Sequence, residues 1–217
     1  MMNKKCSFIK EYFDDICKDA KCTLDYNSDY SLLIAIMLSA QCTDNKVNSV
    51  TKKLFSKFKS LNELNNASLD EIENILKSLG LYKNKAIYLK EMVSILLNKY
   101  NGVVPLNKEE LIKLPGVGNK TANVLLAEWF KIPSFPVDTH VARVSKRLGL
   151  ADVNDNPLII EKKLEKCFEK KDWIDLHHKF IFFGRNYCKA RNPLCKNCIL
   201  KDKNYCLLFK NKSTDFK

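Results

Sequence analysis

The chain has 217 residues and 46% of them are hydrophobic, which excludes a disordered protein and allows one or two domains with a buried core. The formal net charge of +12 favours a polyanionic partner, but charge alone does not separate nucleic acid from an acidic membrane surface. Residues 185–217 carry nine Lys or Arg and two Asp or Glu, which is typical of a binding patch or of a solvated tail.

No segment has the pattern of a signal peptide or a membrane span. Acidic side chains follow Lys4 and Lys5, and the most apolar run, 32–38, is too short to cross a bilayer. We therefore expect a cytoplasmic monomer without a targeting segment, nucleoid-associated in a bacterium. In that setting nine cysteines favour thiols or metal ligands over disulfides. Five of them are predicted to be thiols without a shared site: Cys6, Cys17, Cys22, Cys42 and Cys167.

The first half of the chain is predicted to be helical throughout, because apolar residues recur at helical spacing between capping residues. Asp29 is the expected cap of a helix that is buried on all sides. Ser68 and Glu71 form a capping box for a later helix, which is expected to stop at Gly80. The predicted helices cover about 8–16, 30–38, 44–58, 68–80 and 86–102.

A helix, a tight turn and a second helix are predicted around the run Leu-Pro-Gly-Val-Gly-Asn-Lys-Thr-Ala-Asn at 114–123. Asn107 caps the first helix and Pro115 ends it, while Gly116 and Gly118 allow positive φ and close approach of another backbone. Free N–H groups at the start of the second helix form an anion site. The run therefore predicts a clamp for backbone phosphate that reads no base sequence.

After this hairpin, Pro133 and Pro136 interrupt the chain, and Asp138 occupies an N-cap position. A further helix begins near Pro157, and the last long one covers about 173–183. No sustained strand alternation is present. The sequence therefore predicts an all-α fold of about ten helices.

Four cysteines lie close together near the C-terminus with the spacing C-x6-C-x2-C-x7-C. Four thiolates in so short a segment suit either a [4Fe-4S] cluster or a zinc ion, and the spacing alone does not choose between them. The four are Cys188, Cys195, Cys198 and Cys206.

Three motifs in this order resemble the endonuclease III family of DNA glycosylases: the hairpin run 114–123, Val-Asp-Thr-His at 137–140, and the four cysteines. The resemblance extends over about residues 30–206. It implies two helical lobes with an active-site cleft between them. One lobe is expected to be a helical-barrel domain at 22–132 with its helix-hairpin-helix at about 107–130, and the other an iron–sulphur cluster domain formed by 1–21 plus 133–217.

The same resemblance implies a bifunctional DNA N-glycosylase and abasic-site (AP) lyase of base excision repair that acts on damaged, mainly oxidised, pyrimidines in duplex DNA. Lys120 matches the family's catalytic lysine, which forms a Schiff base and nicks the strand 3′ to the abasic site by β-elimination. Asp138 matches its catalytic aspartate, and His140 is read as structural. Because attack needs a neutral amine, we expect desolvation in the cleft to supply most of the shift in the pKa of Lys120.

Further residues are assigned to DNA and to the cofactor by the resemblance. Gln41 fills the space left by the flipped nucleotide, and Leu81 is either a wedge between bases or an apolar contact after Gly80. Gly116, Val117 and Gly118 clamp phosphate, as do Lys189 and Arg191. The cofactor implied is [4Fe-4S], with zinc as the alternative, although the last cysteine gap is seven residues where the family usually has five.

Two other functions stay open. An adenine-mismatch glycosylase of the same superfamily would lack a lysine at the position of Lys120. A non-catalytic DNA-binding module with a structural metal would keep the hairpin and the basic segment, with Lys120 and Asp138 free to vary. The expected partner is double-stranded DNA with a damaged base or an abasic site.

Overall fold

The computed structural model describes residues 3–210, with side chains as far as Leu208, so the end of the basic segment 185–217 lies outside the described residues. Every regular element between these limits is a helix and none is a strand, which confirms the all-α prediction. Within the same limits, no helix is both long and apolar enough to span a membrane. The chain divides into two compact units, one covering Thr23–Ile132 and the other combining the segments before and after it.

The unit Thr23–Ile132 is built around α2, whose residues 31–38 are all buried. A helix that is apolar on every side belongs in the centre of a core, and α2 packs against α3, α6 and α8. The helices are α2 (Asp29–Leu38), α3 (Asp44–Lys57), α4 (Leu61–Asn66), α5 (Leu69–Leu76), α6 (Tyr82–Tyr100), α7 (Lys108–Leu111) and α8 (Asn119–Glu128).

The second unit combines the N-terminal helix with the C-terminal part of the chain around an aromatic core. Phe13 meets Phe180 and Phe183 at centroid distances of 5.0 and 4.8 Å, which is the usual range for paired aromatic rings. Its α-helices are α1 (Lys4–Ile16), α9 (Thr139–Arg147), α10 (Pro157–Cys167), α11 (Trp173–Asn186), α12 (Ile199–Asp202) and α13 (Leu207–Lys210), with 3₁₀ turns at Lys170–Asp172 and Cys195–Asn197.

Several predicted caps are confirmed, but two helix ends differ from the prediction. The side chain of Ser28, not Asp29, caps α2 in a capping box with Ser31. The capping box of Ser68 does open α5, yet this helix ends at Leu76, well before Gly80. Gly80 does not have the positive φ of a C-cap glycine, and Leu81 has it instead, with φ of 57°.

Cys6 and Cys167 form a disulfide, so the prediction that both are isolated thiols is wrong. The bond joins α1 to α10, and its two cysteines are 161 positions apart in sequence. Spacing along the chain could not reveal this pair, because a disulfide depends on the distance between Cα atoms, here 6.0 Å.

Candidate functional site

The hairpin turn between α7 and α8 is fixed by Gly116. Asn107 caps α7 by accepting hydrogen bonds from the N–H groups of Glu109 and Glu110. Gly116 has φ of +76°, and a Cβ added there would come within 2.9 Å of Met37 Cγ. Both the backbone conformation and the packing therefore require glycine at this position.

Gly118 has a different environment from Gly116. It is the N-cap of α8 with φ of −98°, so it does not adopt the positive φ that glycine allows. A Cβ at Gly118 would meet nothing within 4 Å. The bare backbone consequently faces open space at the start of a helix, where free N–H groups attract an anion.

Lys120 lies in the first turn of α8, directly after this open backbone, and its side chain is exposed. The side chain of Lys120 is therefore open to a molecule that approaches the start of α8. Any removal of water from its amine has to come from a molecule that covers the side chain.

Asp138 is the N-cap of α9, as predicted. Its Oδ1 accepts hydrogen bonds from the N–H groups of His140 and Val141, both at 2.8 Å. Both cap bonds use the same oxygen, so the cap leaves Oδ2 for other contacts. The carboxylate is half-buried and its orientation is fixed by the start of the helix.

His140 lies next to this cap, in surroundings that disfavour its charged form. Burial lowers its pKa, and the nearby Arg143 and Arg185 lower it further, while Asp138 opposes the shift. Arg143 Nη2 lies 3.2 Å from His140 Nδ1, within hydrogen-bond distance. These contacts suit the structural role predicted for His140.

Gln41 and Leu81 share an unusual backbone conformation. Both have positive φ, 56° and 57°, although neither is glycine. Both are exposed, and 60% of the Leu81 side chain faces solvent. Because most of its surface faces solvent, an apolar contact after Gly80 can involve only a small part of the Leu81 side chain.

The four predicted metal-binding cysteines line one cavity of about 470 Å³. Burial raises the pKa of Cys206 and of Cys195, and the charges of the neighbouring cysteines raise both further. Within residues 3–210, no group of three or more His, Cys, Asp or Glu side chains is arranged to hold a metal ion. The four cysteines therefore share one cavity without forming a ready-made site for a single metal ion.

Two arginines of α9 hold the loop that begins at Cys188. Arg147 Nη1 donates to the carbonyl of Lys189 at 2.7 Å and lies 3.4 Å from Cys188 Sγ. Arg143 Nε donates to the carbonyl of Cys188 at 3.2 Å. These bonds fix the backbone next to the exposed side chains of Lys189 and Arg191.

Residues 34–170 match the family described as "HhH-GPD superfamily base excision DNA repair protein". The endonuclease III of Bacillus subtilis (strain 168) is 44% identical over 201 residues, which are 92% of each chain. That of Rickettsia felis is 43% identical over 91% of this chain and 92% of the relative. The chain belongs to the endonuclease III family. It is accordingly a base-excision repair enzyme, a DNA glycosylase and AP lyase.

Two solved structures of endonuclease III with DNA show the same fold. The first, a trapped covalent intermediate with DNA, has a TM-score of 0.88 and 45% identity, covering 98% of this chain and 100% of its own. The second, a non-covalent DNA complex, has a TM-score of 0.89 and 44% identity, covering 99% and 100%.

For an endonuclease III family member, the sequence reading missed the two loop-holding arginines. A compositional signal could have found them. Only four of the 37 basic residues are arginine, and Arg143 and Arg147 are one helical turn apart directly after Asp138. A chain that uses lysine nearly everywhere is expected to keep arginine where a planar fork must bond several carbonyls.

Proposed function

We propose that Lys120 is the nucleophile of this glycosylase and AP lyase, and that Asp138 assists it. The supporting observation is the place of Lys120, exposed in the first turn of α8 and directly after the open backbone of Gly118. The similar endonuclease III solved as a trapped covalent intermediate with DNA supports a protein nucleophile in this family. In this proposal the turn Gly116–Gly118 binds the phosphates of the same strand.

The reaction begins when a damaged pyrimidine nucleotide leaves the duplex stack, at a cost of a few kcal/mol. The neutral amine of Lys120 forms a bond to C1′ while the glycosidic bond breaks and the base leaves with a proton. Loss of the amine proton and opening of the sugar ring give a Schiff base. Removal of a C2′ proton then expels the 3′ phosphate, and water releases the lysine.

The attacking amine has to be neutral, whereas a lysine side chain in water is charged at neutral pH. Lowering the pKa of a lysine side chain from about 10.4 to about 7–8 requires roughly 3.5–4.5 kcal/mol. A helix N-terminus supplies only about 0.3–1 kcal/mol of that. Because Lys120 is exposed in the chain by itself, we assign the larger part to the flipped nucleotide, which would cover the amine.

Asp138 is assigned a role separate from its cap. With Oδ1 bonded to the helix start, Oδ2 can stabilise positive charge that develops on the sugar as the base leaves. The substrates we propose are duplexes that contain an oxidised pyrimidine or an abasic site. The presence of Lys120 favours this activity over adenine-mismatch excision.

Gln41 and Leu81 are assigned to the space that the flipped nucleotide leaves. An exposed apolar side chain on a fixed turn can act as a wedge between base steps, and an exposed amide can pair with the orphaned base. Their positive φ values show that the fold sustains an unfavourable backbone conformation at both positions, which is common at functional sites.

Borohydride trapping on an abasic duplex tests the role of Lys120. Reduction should link the wild-type protein covalently to DNA, and Lys120→Ala should abolish the linked species. Lys113→Ala is the matched control, since Lys113 is another exposed lysine of the hairpin and is paired with Glu110. Trapping of Lys120→Ala at the wild-type level would remove Lys120 from the mechanism.

We also propose that Cys188, Cys195, Cys198 and Cys206 hold a [4Fe-4S] cluster, with the unit that contains them as the iron–sulphur domain and Thr23–Ile132 as the helical barrel. Four cysteines that line one cavity suit a cluster or a zinc ion, and the similarity to endonuclease III favours the cluster. When bound, a cluster supplies a rigid anchor for the loop that carries Lys189 and Arg191. Absorbance near 400 nm with iron in the purified protein is the expected result, and colourless protein with stoichiometric zinc would overturn this assignment.

A further inference from the structure

Gln41 and Leu81 are connected through one buried residue, Lys85 in the first turns of α6. Leu81 is the N-cap of α6, and its carbonyl accepts the backbone N–H of Lys85 at 3.1 Å. The side chain of Lys85 reaches the turn that contains Gln41. Its Nζ donates to the carbonyl of Ala40 at 2.8 Å and to Cys42 Sγ at 3.2 Å.

The turn that carries Gln41 depends on few bonds of its own. After α2 ends, the N–H of Cys42 donates to the carbonyl of Ser39 at 3.0 Å, which closes a short turn with Gln41 inside it. The two bonds from Lys85 fall on the residues directly before and after Gln41. They therefore fix the backbone that keeps Gln41 at φ of 56° with its side chain exposed.

A lysine is a costly residue for this position. Only 4% of Lys85 is exposed, and it is followed on the same helix by the fully buried Ala86 and Leu89. Burying an ammonium group is unfavourable unless its hydrogen bonds are satisfied, and an apolar side chain would fill the same space at lower cost. The ammonium group is therefore explained by what it holds, which is the turn on both sides of Gln41.

We propose that Lys85 is the positioning residue that sets Gln41 and Leu81 in register, so that both enter the duplex together at the flipped nucleotide. This inference rests on the proposed function of those two side chains. Lys85 itself contacts neither DNA nor the reacting atoms in this proposal. It acts through the two turns that it joins within the unit Thr23–Ile132.

Lys85→Met tests the inference, because methionine keeps the length and apolar stem of lysine and loses the ammonium group. The matched control is Lys90→Met. Lys90 lies on the same helix and also donates to carbonyl groups, those of Asn65 and Ala67, far in sequence from Gln41. Lys85→Gln, which retains one N–H donor for Ala40, provides a second variant if methionine prevents folding, and thermal unfolding of each variant is measured first.

The readout is the single-turnover rate of base excision on two duplexes. In the first duplex the damaged base is opposite a normal base. In the second it is opposite a nucleotide without a base, so flipping leaves no unpaired partner base. A small displacement of a positioned group can reduce a rate by about 10- to 100-fold. We expect Lys85→Met to slow excision by about 10-fold on the first duplex and by less than about 2-fold on the second, with Lys90→Met unchanged on both.

Two further variants separate the inference from the function on which it rests. Gln41→Ala should slow the first duplex selectively, and Gln41→Ala combined with Lys85→Met should be no slower than the slower single variant. If Gln41→Ala is slow but Lys85→Met behaves like Lys90→Met, the role of Lys85 is overturned and that of Gln41 stands. If Gln41→Ala and Leu81→Ala both keep wild-type rates, the proposed function of the pair fails and the role of Lys85 fails with it. An equal loss on both duplexes for Lys85→Met would show a general structural role and also overturn the inference.

Discussion

Gly116 and Gly118 are two positions apart, yet they have different reasons to be glycine. Gly116 has positive φ, and its missing Cβ makes room for Met37 and Tyr88. Gly118 has an ordinary φ and open space around it. The first is therefore required by the fold, and the second only by whatever approaches the start of α8.

We predict that Gly116→Ala and Gly118→Ala separate stability from DNA binding. An alanine at positive φ costs about 1–2 kcal/mol, and the contact with Met37 adds to this, so Gly116→Ala should lower the free energy of unfolding. Gly118→Ala should leave it within about 0.5 kcal/mol of wild type, as surface substitutions usually do. Denaturant unfolding measures both effects.

For duplex affinity, Gly118→Ala is the substitution that should have the larger effect. The added methyl of Gly118→Ala stands where we place a phosphate, so duplex affinity should fall while stability is retained. Fluorescence anisotropy with a labelled abasic duplex gives the affinity. Wild-type affinity for a stably folded Gly118→Ala would contradict the assignment of this backbone to phosphate.

At this scale the sequence predicts which residues matter better than it predicts their geometry. The turn itself is encoded locally by Pro115 and the glycines, and so is the cap at Asp138. The φ of each glycine, however, depends on side chains such as Met37 and Tyr88, which are distant in sequence. The exposure of Lys120 is likewise a property of the folded surface.

At the scale of the element, several helix starts could be predicted from their capping side chains, whereas the end of α5 could not. The caps Asn107 and Asp138 act within three residues of themselves, so their side chains identify the start of the helix. The end of α5 depends on how the chain turns into α6, where Leu81 takes the left-handed conformation in place of Gly80. The short helices α12 and α13 have too few residues for periodicity to reveal them.

The disulfide between Cys6 and Cys167 is an element-scale contact with a measurable effect. It joins α1 to α10 across nearly the whole described chain, so it restricts the unfolded state over a long loop. Disulfides typically contribute about 2–4 kcal/mol, mainly in this way. We predict that Cys6→Ser with Cys167→Ser lowers the free energy of unfolding by about that amount.

A thiol reductant provides the control for that prediction. It should lower the unfolding midpoint of the wild type towards that of the double variant and leave the double variant unchanged. Thermal unfolding followed by circular dichroism, with and without the reductant, makes the comparison. A wild-type midpoint that equals that of the double variant under oxidising conditions would show that the bond contributes nothing.

At the scale of the whole molecule, charge and family membership could be read from the sequence, while the internal supports of the site could not. The hairpin, the motif at 137–140 and the cysteines are local patterns, and together they identified the endonuclease III family. The contacts of Arg147 with the Cys188 loop join residues about 40 positions apart. Such contacts appear only once the chain is folded.

The net charge of +12 predicts that duplex binding weakens as the salt concentration rises. Each phosphate contact releases counterions, so the logarithm of the binding constant should fall linearly with the logarithm of salt concentration, with a slope of about −0.9 per contact. Lys189 and Arg191 are exposed on backbone that Arg147 holds through the carbonyls of Lys189 and Ala190. Lys189→Gln or Arg191→Gln should therefore each reduce the magnitude of the slope by about 1. Each should also weaken binding to every duplex by about the same factor. Lys18→Gln is the control, because Lys18 is an exposed lysine paired with Asp15 to which we assign no phosphate. If the slope stays unchanged in both loop variants while affinity falls, the loop acts on the fold of its unit and not on the DNA backbone.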